Sequence, residues 1–150
     1  KYIALLFFTT AWIHSGHIFG QTTTLPATLD NINHNYPALD IATPTSLTIT
    51  NSSINGRNMS FTSSTALLSA TTINVQRLVF NNAAHTIGIG GTTKISCVNI
   101  DFGTGAITIQ RATLPNLPVG PVRLIIEYSG NVTQGNLNPQ DGVDLTIVKK

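Results

Sequence analysis

Four histidines, one cysteine and six carboxylates are the side chains of this 150-residue chain that could bind a metal, attack a carbonyl or move a proton. Their spacing argues against all three. His14 and His17 stand in an apolar N-terminal stretch, and His34 and His85 lie far apart, with no His-x-x-x-His pair and no Cys-x-x-Cys. Zinc needs three or four such ligands held together, so no metal site is expected. Cys97 stands alone in a strand-like run, Lys94-Ile95-Ser96-Cys97-Val98-Asn99-Ile100, and there is no Gly-x-Ser-x-Gly elbow. Its thiol reads as a small buried hydrophobe, with an intermolecular disulfide as the alternative.

Asp30, Asp40, Asp101, Glu127, Asp141 and Asp144 include no pair arranged for acid–base work. Glu127 stands out, because a carboxylate inside an apolar run needs a partner or an exposed face. The exposed face is expected. Gly88-Ile89-Gly90-Gly91 precedes a strand rather than a helix, which argues against a phosphate loop. The chain therefore reads as non-catalytic, with no catalytic residue, no cofactor and no metal. The modification signals are three sequons, Asn51-Ser52-Ser53, Asn58-Met59-Ser60 and Asn131-Val132-Thr133. All three are expected at loops or loop edges.

Only 9% of residues are charged, against about 25% in an average soluble domain, and the net charge is +2. Arg57, Arg77, Lys94, Arg111 and Arg123 are scattered, so no phosphate-tracking surface and no nucleic-acid partner is expected. Lys1 followed by the apolar run Tyr2–Ile13, then Ser15, Gly16 and Gly20, has the pattern of a secretory signal peptide cleaved after Gly20. A membrane span needs roughly 20 apolar residues, and His14 and His17 interrupt this run too early. Residues 1–20 are thus assigned to a signal peptide and 21–150 to one secreted domain.

Within that domain, Gln21 to Thr45 carries Pro26, Pro37 and Pro44 and reads as an irregular lead-in. Beyond it, short alternating runs succeed one another. Ser46–Thr50, Thr72–Gln76, Thr86–Ile89, Ala106–Gln110 and Val122–Tyr128 are separated by Gly, Pro and Asn punctuation. Asn55-Gly56 reads as a hairpin turn. The change of phase around Cys97 and Val98 suggests a bulge or burial on both faces. No repeat of fixed length is apparent. About eight or nine strands at this spacing predict an all-β, mostly antiparallel β-sandwich.

Phe61, the segment Val75-Gln76-Arg77-Leu78-Val79-Phe80-Asn81, and His85-Thr86-Ile87 run in an order that resembles the N-terminal domain of the M1 zinc aminopeptidases. Leu117-Pro118-Val119-Gly120 followed by Leu124-Ile125-Ile126-Glu127-Tyr128-Ser129-Gly130 is the closest match, and Leu25-Pro26 echoes the family's opening. The resemblance implies a saddle-shaped sandwich. It carries over no catalytic residue, because His-Glu-x-x-His and Gly-x-Met-Glu-Asn are absent. Two functions follow as expectations. The first is a structural or binding domain beside a peptidase domain or another extracellular protein. The second is a free-standing secreted recognition module, adhesin or immunoglobulin-like, that binds a protein or a carbohydrate. An unrecognised hydrolase is a third and weaker reading.

Overall fold

The computed structural model describes residues 21–114 and 120–150. The expected signal peptide and Pro115–Val119, including part of the aminopeptidase-like motif, lie outside the described residues. The rest forms fourteen strands. They are β1 (Thr22–Thr24), β2 (Thr28–Asp30), β3 (Asn33–Ala42), β4 (Ser46–Thr50), β5 (Ser53–Phe61), β6 (Thr65–Ser69) and β7 (Thr72–Phe80). Then come β8 (His85–Ile89), β9 (Thr92–Asp101), β10 (Ala106–Arg111), β11 (Val122–Tyr128), β12 (Val132–Thr133), β13 (Asn136–Pro139) and β14 (Val143–Lys149).

The strands fall into two sheets. The larger runs β1-β3-β5-β7-β9-β11-β14, with β12 beside β9, and the smaller runs β13-β10-β8-β6-β4-β2. As far as β11 each strand thus pairs with the next but one in sequence, whereas β12, β13 and β14 pair with β9, β10 and β11; all the pairs are parallel. The chain winds from one sheet to the other and back, stacking turn upon turn. This is a β-solenoid of about six turns, which overturns the expected antiparallel sandwich and with it the saddle-shaped aminopeptidase domain. The error has a physical source. Alternation of apolar and polar residues reports that a strand is half-buried; it carries nothing about the direction of its neighbour.

A repeat does exist, with a variable step. Ser53 pairs with Thr72 and Thr72 with Lys94, steps of 19 and 22 residues. Aligned on that register, Ser53-Ile-Asn-Gly-Arg-Asn-Met-Ser-Phe61, Thr72-Ile-Asn-Val-Gln-Arg-Leu-Val-Phe80 and Lys94-Ile-Ser-Cys-Val-Asn-Ile-Asp-Phe102 share Ile, Asn or Ser, a medium apolar residue and Phe at matching places.

The core is made of columns running along the solenoid axis. Ile54, Ile73, Ile95 and Ile126 form one, Ile41, Met59, Leu78 and Ile100 another, and all are buried. From the smaller sheet come Leu47, Ala66, Ile87 and Ile109, with Ile49, Leu68 and Ile89 alongside. Phe61, Phe80 and Phe102 form a ladder with centroids 4.9 and 5.8 Å apart, the first pair tilted and the second stacked. Each such side chain contributes about 1.5–3 kcal/mol on burial, and the parallel register aligns like with like in neighbouring turns.

Midway along the long strands the inward alternation changes phase. Arg57-Asn58, Gln76-Arg77 and Val98-Asn99 each leave two successive side chains outside, and the ladder is interrupted at the same column. The register is the same on either side, so the change of phase expected near Val98 is not a bulge between β5, β7 and β9 but an interruption that they share. In β3 it is larger, with Pro37 in the register shift between Tyr36 and Asp40. The lead-in is accordingly not irregular: its prolines fall at breaks between and within β1, β3 and β4, where no ladder donor is needed. Asn55-Gly56 lies inside β5 instead of at a hairpin, and Gly56 serves a close approach, because a Cβ there would collide with the Ile41 side chain.

Candidate binding groove

The corners between sheets are polar and mostly satisfied. Thr43 Oγ1 accepts from the backbone nitrogens of Thr62 and Ser63 at 2.8 and 3.1 Å. Ser63 in turn donates to the Pro44 carbonyl. His85, buried in the next turn, places Nδ1 2.7 Å from the Ser63 carbonyl and meets the rings of Phe61 and Phe80 edge-on. His85 is thus an interior corner residue, and His34 is stacked on Tyr36 at the far end of the solenoid. Among the described residues no group of three His, Cys, Asp or Glu could hold a metal. Cys97 lies buried in β9, its Sγ 3.7 Å from the Glu127 carbonyl, and burial pushes its thiol pKa up. A raised pKa disfavours the thiolate, the reactive form.

Outward from the larger sheet the side chains sort by turn. Asp40 receives Arg57 Nε and Asn58 Nδ2 at 2.9 and 2.8 Å, and the Arg57 bond foremost holds its carboxyl below the usual range. Glu127 lies outside the core, but it is partnered and not exposed as expected, its side chain being 13% accessible: Lys150 and Lys94 both reach it, Lys94 at 3.0 Å, and they lower its pKa. Asn55 and Asn74 lie one above the other, and Asn74 Nδ2 donates a hydrogen bond of 2.8 Å to Asn55 Oδ1.

Between these clusters lies a groove of about 310 Å³ lined by Arg77, Asn99, Ile100, Asp101, Asn131 and Thr133. Three strands build it. Arg77 of β7 pairs with Asn99 of β9, and Asp101 of β9 pairs with Thr133 of β12. The turn into β12 is fastened to the groove's own wall. Asn131 donates its backbone N–H to Asn99 Oδ1 at 2.9 Å, and its carbonyl accepts from Ile100 at 3.0 Å. Arg77 Nη2 stands 3.6 Å from Asp101 Oδ2 with more than half of its side chain exposed. Asp101 Oδ1 also accepts the Gly103 N–H at 3.1 Å, which fixes the carboxylate's orientation. Asn99 and Thr133 both line the groove, and Asn99 Nδ2 and Thr133 Oγ1 have no hydrogen bond to the described residues. On the other side of β12 is a smaller, apolar hollow of about 240 Å³, lined by Phe102, Val132, Leu137 and Ile147 among others.

The sequons fare differently. Asn51 is exposed at a corner with φ 49°, and Asn131 is exposed on the turn beside the groove. Asn58 is half-buried within β5, not at a loop, and its amide nitrogen is engaged by Asp40. In the sequence Arg77 is one of several scattered basic residues, and nothing joins it to Asn99 or Thr133. The signal that joins Asn58, Arg77 and Asn99 is their shared place in the aligned turns.

No family model, no curated protein and no solved structure matches the chain. Nothing links it to the M1 aminopeptidase domain. The class that fold and groove define is a parallel β-solenoid with a polar lateral cleft.

Proposed function

We propose that the chain is a secreted, non-catalytic recognition module, in which a stacked β scaffold presents a lateral groove to a protein or carbohydrate. The observation that carries this reading is the convergence of Arg77, Asn99, Asp101 and Thr133 from three neighbouring strands on one cleft. Side chains on a stacked sheet are held by register, so such a site is pre-organised and loses little entropy on binding. The described histidines and Cys97 lie away from the groove.

The test is amide-resolved NMR on the purified chain, titrated with extracellular glycan fractions and with candidate extracellular proteins. Shifts concentrated at Arg77, Asn99–Asp101 and Asn131–Thr133, with the ligand recovered unchanged, are the expected result. Turnover of the ligand, or shifts confined to another face, would overturn the reading.

A further inference from the structure

The groove's chemistry separates the two partner classes. Protein interfaces depend on a few large apolar or aromatic anchors that enter desolvated pockets. Here the one apolar lining residue, Ile100, is buried in the core at 2% exposure and offers no such pocket. What the groove does offer is a set of planar and hydroxylic groups. Asn99 Nδ2 supplies amide donors, the Thr133 hydroxyl both donates and accepts, the Arg77 guanidinium donates in a fork, and Asp101 accepts.

Adjacent hydroxyls on a sugar ring are each donor and acceptor at once, and a carboxylate beside an amide or guanidinium meets both demands. The charges of Arg77 and Asp101 offset each other, so an anionic sugar gains nothing from Arg77 that Asp101 does not oppose. The volume lies at the small end of ligand pockets and fits a short oligosaccharide whose remaining units extend into solvent.

We infer that the groove of Arg77, Asn99, Asp101, Asn131 and Thr133 is a binding site for a neutral carbohydrate, bound through its vicinal hydroxyls. This inference rests on the recognition reading above and names the ligand of that same site. Asn131 is part of the rim, so a glycan attached there would cover the site; the protein for this test is therefore produced without glycosylation.

The experiment is saturation-transfer NMR with calorimetry, using maltose, cellobiose, chitobiose and digalacturonate as probes. The proteins are the wild-type chain, Thr133→Val, Arg77→Gln and, as a control on the opposite sheet, Thr108→Val. At least one neutral disaccharide is expected to bind. Thr133→Val and Arg77→Gln are each expected to weaken it roughly tenfold, as for loss of one hydrogen bond to a polar ligand. Thr108→Val should leave it unchanged, and digalacturonate should bind less well. Circular dichroism of each variant checks that the fold persists. Sugar binding that ignores Thr133 and Arg77 would overturn the site. Failure of all four sugars, together with a protein ligand lost on Arg77→Gln, would overturn the carbohydrate class and leave the recognition reading standing. If neither sugars nor proteins perturb the groove, both readings fall.

Discussion

Ala70 has φ 49° at a corner where the preceding and following turns carry Asn51 and Gly91. Asn31 and Asn51 adopt the same left-handed conformation at the matching corners, with φ 54° and 49°. Asparagine tolerates that region because its short side chain bonds locally, whereas alanine brings its Cβ against the carbonyl at a cost of about 1–2 kcal/mol. Ala70→Gly is therefore expected to stabilise the protein by about 1 kcal/mol, read as a higher urea midpoint with an unchanged slope. A lower midpoint would show that the corner is not strained.

Acid sensitivity also belongs to single residues. Arg57 lowers the pKa of Asp40, and the two lysines lower that of Glu127. A carboxyl with a depressed folded pKa contributes stability above its ordinary value, and that contribution disappears as pH falls through the folded value. Stability should be level from neutral pH down to about 5 and decline below about 4. Glu127→Gln should shallow that decline in pH-dependent urea unfolding; an unaltered acid limb would rule the lysine clamp out as a source of it.

At the scale of elements, the ladder Phe61–Phe80–Phe102 ties three turns together. Phe80 touches both neighbours and His85, so Phe80→Ala should cost about 3–5 kcal/mol. Val79→Ala, one residue away on the outward side, should change stability by no more than about 0.5 kcal/mol. Equal effects of the two would contradict the inward assignment. The strands themselves were legible from sequence: Ser46–Thr50, Ala106–Gln110 and Val122–Tyr128 are where alternation put them.

Their partners were not legible, for definite reasons. In sequence Phe61 and Phe80 pass for successive landmarks of a foreign motif, although the register makes them equivalent places in neighbouring turns. The step between turns drifts between 18 and 22 residues, and from Lys94 to Ile125 it reaches 31, so a search for one period misses it. Asn55-Gly56 misled in the same way, since a glycine demanded by close packing against Ile41 carries the signature of a turn. The groove was invisible because Arg77, Asn99 and Thr133 are distant in sequence and become neighbours only through the stacking.

At the scale of the molecule, each turn rests almost wholly on the turns beside it, so stability is close to a sum of turn and interface terms. A cleft that spans β7, β9 and β12 inherits its accuracy from that stacking. The uneven step has a consequence for descent. The column of isoleucines is kept whatever the length of the corner, as Ile95 and Ile126 show across the 31-residue passage from Lys94 to Ile125. A duplicated turn would thus find a ready template in its parent, and an inserted corner would leave the template intact. Such a lineage can lengthen, or redecorate its flank, by small genetic accidents without having to invent a new core.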